Sequence, residues 1–198
     1  MARVLPCETL RVASKQLPSR ACARASVQLR SAFFVVNYFE RDQARKDGQK
    51  EMKLIRFGEP GREKPGIMLE DSTRRDVSGF TRDYDEIFFA DDGLPQLKRW
   101  WKDNADSAPR VAQSVRLGSP ICRPSKIVCI GLNFHDHAKE SNMQIPEEPV
   151  IFFKATSSLV GPNDDLVIPK NGSKVDWEVE LAVVIGKRAN YVEREDAL

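Results

Sequence analysis

Residues 175–183 read Val-Asp-Trp-Glu-Val-Glu-Leu-Ala-Val, and this stretch constrains the chain more than any other. Its odd positions are apolar, while Asp176, Glu178 and Glu180 fall on even ones. An alternation of period two belongs to a β-strand and not to a helix. It turns the three carboxylates to one face, with neighbouring Cα atoms ~7 Å apart. Two readings follow. The carboxylates form the solvated face of an amphipathic strand, or Glu178 and Glu180 converge on one hard cation, which prefers oxygen ligands. Trp177 and the apolar run 181–185 point to burial towards the far end of the strand. A bound cation would there offset the cost of burying carboxylates.

Further extended runs precede it. Lys126-Ile127-Val128-Cys129-Ile130-Gly131 reads as a buried strand broken at a glycine. Val150-Ile151-Phe152-Phe153-Lys154 and 164–169 read as two more, and 192–198 as the first turns of a helix. Upstream, Met52-Lys53-Leu54-Ile55-Arg56-Phe57 alternates like a strand, with Gly58-Glu59-Pro60-Gly61 as a turn. Residues 66–69 are a short strand and 75–80 a candidate for another. Leu94, Leu97 and Trp101 have helical spacing, which packing alone explains. The expected organisation is a leader over 1–51, a small β-rich domain over 52–118 and a second domain over 119–198. Together these make a β-rich α+β chain.

The leader differs from the rest in charge. Residues 1–51 carry ten Lys/Arg against five Asp/Glu, and the total net charge is only +2. This composition fits an organellar transit peptide or a stretch upstream of a start at Met52. The basic excess is confined there, so nothing in the body favours nucleic-acid binding. No apolar run approaches the ~20 residues of a membrane span. Cys7, Cys22, Cys122 and Cys129 lack metal-ligand or disulfide-framework spacing, which fits a reducing, cytoplasmic setting, with organellar import as the lesser alternative.

Two further groups carry chemistry. His137 and Glu140 follow the strand that ends at Gly131, and their spacing of three makes them neighbours on a helical turn. A carboxylate beside an imidazole suits a water-activating base. A surface helix start with incidental polar residues, capped by Asn133, explains the same pattern. Lys154 ends an aromatic strand and needs an anionic partner if buried, either a substrate carboxylate or a structural acid.

The ordered set Gly131-Leu132-Asn133-Phe134 with His137 and Glu140, Glu148-Pro149-Val150 with Lys154 and Thr156, Gly161-Pro162 with Asp164-Asp165, and Glu178-Val179-Glu180-Leu181 resembles the fumarylacetoacetate hydrolase family. Among its members the likeness leans to bacterial ureidoglycolate lyases and 2,4-diketo-3-deoxy-fuconate hydrolases. The resemblance implies a mixed β-roll fold and carbon–carbon hydrolysis or lysis of a small keto acid. It implies Mg²⁺ or Mn²⁺ held by Glu178 and Glu180, His137 and Glu140 as the water-activating dyad, and Lys154 on the substrate's anionic end. It also implies a homodimer for full-length members. The family's third metal ligand, an aspartate, lies in a segment beyond residue 198, so the resemblance casts the chain as C-terminally truncated. A different reading is a catalytically inactive binding protein, or a gene-model fragment.

Overall fold

The computed structural model describes residues 52–173, 175, 178 and 180–197. The leader, Asp176, Trp177 and Val179 lie outside the described residues. The fold is mixed α/β. Its elements run β1 (Lys53–Phe57), β2 (Lys64–Met68), β3 (Arg74–Asp76), α1 (Glu86–Ala90), α2 (Gly93–Asn104), β4 (Arg110–Val111), β5 (Ile127–Gly131), α3 (His135–Glu140) and β6 (Val150–Lys154).

The first four strands form one antiparallel sheet in the order β1-β2-β3-β4. Gly58 and Gly61 take positive φ, 116° and 76°, and so make the β1–β2 turn at the place where the sequence has its turn signal. Alternation along β1 divides the core in two. Leu54 joins Ile67, Val77, Tyr84, Phe88 and Leu97 in one cluster, under α1 and α2. Ile55 and Phe57 face the other way and pack with Leu117. The Phe57 ring lies across Gly66, where a Cβ would come within 3.0 Å of it. At the α1–α2 junction a Cβ on Gly93 would stand 2.3 Å from the Phe88 carbonyl oxygen, so only glycine fits. The helix expected over 94–101 is therefore present and extended by a turn, with Leu97 fully buried. The strand expected over 75–80 stops at Asp76.

Arg56 lies on the same strand as Leu54 and is 8% exposed. Its guanidinium donates to both oxygens of Asp83, at 2.6 and 3.0 Å, and to Glu63 at 3.4 Å. Glu63 in turn accepts from Arg116 at 3.0 Å. A charge taken out of water needs this kind of multiple pairing.

Beyond residue 118 the chain stays attached to the first sheet. Gly118 donates to the Arg56 carbonyl and Cys122 to that of Tyr84. A Cβ on Gly161 would meet the Leu117 carbonyl oxygen at 2.0 Å, a measure of how closely this later loop is laid against residue 117.

β5 and β6 pair antiparallel as a separate two-stranded sheet, with Ile127 opposite Lys154 and Gly131 opposite Val150. Both strands were expected, and the first of them, over 126–131, was expected to be buried. Instead every residue of β6 is exposed and β5 alternates between half-buried and exposed. The runs over 164–169 and 175–185 were expected to be strands, and their described residues are not. The helix expected over 192–198 is one 3-10 turn, Arg194–Asp196. One physical reason covers all of these. A strand is held by a partner's backbone groups and by a face to bury, and two strands are marginal without a third or a covering helix. Among the described residues nothing supplies that layer here: Leu181, Val183 and Ile185 are 86%, 68% and 74% exposed.

Candidate functional site

The five residues named from the sequence sit at the two ends of the β5–β6 sheet. His137 and Glu140 belong to α3, within the connection that leaves β5 at Gly131 and re-enters at Val150. Leu132, with φ of +53°, turns the chain out of the strand. α3 starts at Phe134 with no side-chain cap, so Asn133 does not cap it. Ala138 is the buried residue of the helix, and His137 and Glu140 face solvent. No hydrogen bond or ion pair joins His137 to Glu140 among the described residues, although their spacing puts them on adjacent turns.

Lys154 occupies the other end, opposite Ile127. Four residue steps separate the two ends of the sheet, about 14 Å at strand rise. Lys154 Nζ donates to Glu178 Oε2 as an ion pair. The hydrogen bond to Glu178 holds the ammonium above the ordinary lysine value against the opposing effect of burial, and Glu180 adds to this by charge. The structure thus brings Lys154, Glu178 and Glu180 together, and among the described residues no hydrogen bond or ion pair joins His137 or Glu140 to them.

Whether these residues suit a divalent cation can be judged from the donors. Two carboxylates supply hard oxygen donors, and the Lys154 ammonium already stands against one of them as a resident cation. The chemistry fits. The donor number is small: among the described residues no group of three or more His, Cys, Asp or Glu is gathered as a metal cluster would be.

A polar cleft of about 390 Å³ lies elsewhere, lined by residues that include Arg74, Gln113, Arg116, Asn163 and Asp164. It holds none of the five residues. Sequence reasoning missed the ion chain behind it, Asp83–Arg56–Glu63–Arg116–Asp164. Its signal was available: Arg56 interrupts the apolar run Leu54-Ile55-Arg56-Phe57, as Lys154 ends an aromatic one.

Residues 126–198 match the family described as fumarylacetoacetate (FAA) hydrolase, C-terminal. Over these residues the chain belongs to the fumarylacetoacetate hydrolase family. The 2,4-didehydro-3-deoxy-L-rhamnonate hydrolase of Sphingomonas sp. (strain SKA58) is 47% identical over 148 residues, which is 74% of this chain and 49% of that protein. A Burkholderia multivorans protein named as a hydrolase, with no substrate in its name, is 45% identical over 147 residues, covering 74% of this chain and 51% of that one. A solved fumarylacetoacetate hydrolase from Exiguobacterium antarcticum aligns at 32% identity with a TM-score of 0.39, over 56% of this chain and 38% of its own. The chain spans about half the length of the curated relatives it matches. Those matches are about twice as long as the family domain, so the likeness takes in part of the chain before residue 126. No helix among the described residues is long and apolar enough to cross a membrane.

Proposed function

We propose that this chain forms part of a metal-dependent hydrolase or lyase that acts on a small keto acid of the acylpyruvate or diketo-acid type. The observation that carries this reading is the meeting of Lys154 with Glu178, beside Glu180, at one end of the β5–β6 sheet. A lysine for an anionic group and two carboxylates for a cation are what a keto acid chelated through its oxygens requires. The family match over residues 126–198 and the sugar-acid hydrolase among the relatives support the same substrate class.

In this reading Glu178 and Glu180 hold Mg²⁺ or Mn²⁺. The cation, when bound, supplies charge stabilisation for oxygen atoms that gain negative charge as the substrate bond is cut. Lys154 binds the substrate's carboxylate and sets its orientation. His137 takes a proton from water, and Glu140, three residues on in the same helix, is the carboxylate of the dyad. The dyad lies in the connection that leaves the sheet at Gly131, the end opposite Lys154.

The test is a steady-state assay of pyruvate release from acylpyruvates and 2,4-diketo sugar acids, with Mg²⁺ and with chelator. Turnover that needs the metal supports the reading. Absence of turnover on the whole series in the presence of metal overturns it.

A further inference from the structure

The Lys154–Glu178 pair puts a substrate-binding candidate on top of a metal-binding candidate. Glu178 Oε2 accepts from the ammonium, and Glu180 attracts it from further off. A carboxylate oxygen engaged by an ammonium is not available to a second cation in the same direction, and the ammonium so engaged is not available to an anion. Resting on the metal-dependent reading above, we propose that Lys154 is a tethered counter-ion that holds the cation position of Glu178 until a divalent metal displaces it, and that the displacement frees Lys154 to take the carboxylate of the substrate. Metal and keto acid then bind in that order, each favouring the other, because coupling between two sites is reciprocal.

The exposure of the pair sets its strength. Lys154 is 42% and Glu178 56% exposed in their side chains, so the pair is weak and screened. It yields to a doubly charged ion without holding the metal off altogether. The mechanism needs this balance, since a deeply buried pair would exclude the metal. The position of Lys154 also suits release. It is the last residue of β6, and an ammonium on a four-carbon stem can swing away from Glu178 over the face it shares with Phe152 with no change in strand register.

The experiment measures Mn²⁺ binding by electron paramagnetic resonance on the 198-residue chain and on K154M and K126M. Lys126 is exposed and directly precedes β5, so its loss removes the same charge close by without touching Glu178. K154M is expected to bind Mn²⁺ about twofold to fivefold tighter than the native chain, the scale of an exposed pair, with K126M close to native. Pyruvate titrations complete the cycle. K154M should leave pyruvate binding unchanged without metal and weaken it with metal. Equal Mn²⁺ affinity in K154M and K126M overturns the counter-ion role alone. So does a loss of pyruvate binding in K154M that is the same with and without metal. Absence of Mn²⁺ binding in every variant overturns the metal-dependent reading and this one with it.

Discussion

Arg116 grips Asp164 with one edge of its guanidinium: Nε lies 2.6 Å from one carboxylate oxygen and a terminal nitrogen 2.6 Å from the other. The Gly161 amide donates to the same carboxylate at 2.6 Å. Residues 48 positions apart are thereby fixed in a planar, two-bond geometry that only an arginine provides. Through Glu63 the grip continues to Arg56 and Asp83 inside the first sheet.

Asp164→Asn should cost about 1–2 kcal/mol of stability near neutral pH, because it removes a charge-assisted pair that is only partly exposed. The Arg116 hydrogen bonds hold the Asp164 carboxyl below its ordinary value, outweighing burial. Glu63 is likewise lowered: burial pushes it up, but the hydrogen bonds and charges of its own amide, Arg116 and Arg56 prevail. Depressed acids stabilise the fold above their unfolded values, near pH 4, and lose that contribution as pH falls through the lowered folded values. Urea unfolding at pH 7 and pH 3 checks this. The gap between native and D164N should shrink at the lower pH.

Gly93→Ala should destabilise by about 1–3 kcal/mol, since the new methyl would overlap the Phe88 carbonyl and ring unless the α1–α2 junction shifts. Gly61→Ala meets no atom within 4 Å and suffers only from its φ of +76°, a cost of about 1–2 kcal/mol. Thermal melts would distinguish them. The near-ultraviolet circular dichroism of Trp100 and Trp101 should change in G93A and stay native in G61A.

Tyr84→Phe removes a buried hydrogen bond of 2.8 Å to the Gly66 carbonyl and should cost about 1–2 kcal/mol. Burial, and then the charges of Asp83 and Asp76, push the Tyr84 phenol far above its ordinary value. The folded chain therefore keeps it neutral, and stability falls as pH rises past about 10, where the unfolded phenol ionises. The part of the alkaline phenolate absorbance that is lost in Tyr84→Phe should appear together with unfolding in the native chain. A Tyr84 that titrates while the chain is still folded would contradict the buried placement.

Glu178→Gln and Glu180→Gln should each weaken Mn²⁺ binding by about tenfold or more, the scale already reached when groups behind metal ligands are removed. His137→Ala should leave Mn²⁺ affinity unchanged and lower metal-dependent turnover. Isothermal titration reads the first two effects and the steady-state assay the third. Loss of metal in H137A would place the imidazole among the ligands instead.

The first half of the fold was legible because its signals are local and agree with one another. Alternation along Leu54-Ile55-Arg56-Phe57, glycines at 58 and 61 and helical spacing at Leu94, Leu97 and Trp101 all specify what forms. The ion chain from Asp83 to Asp164 was not legible, because its members, from Arg56 to Asp164, are scattered over 108 positions and each looks like a surface charge. The runs 164–169 and 175–185 failed for the opposite reason. Their patterns are strong, but a strand is a relation between segments, and the described residues provide no neighbour for these. The candidate site was proposed from the sequence as residue types. Spacing pointed to Lys154, Glu178 and His137, but not to the meeting of Lys154 with Glu178 at one end of a sheet and His137 at the other.

The unequal burial of the two sheets fixes the order in which the chain gives way. Both apolar clusters lie within residues 54–117, whereas β6 faces water along its whole length. Amide protons of β1 and β2 will report the global free energy of opening, and those of β5 and β6 will exchange through small, frequent openings far below it. A protease would meet the Lys154 end long before it reached Leu54. Heating would empty the candidate site of its geometry while Tyr84 and Leu97 were still in place.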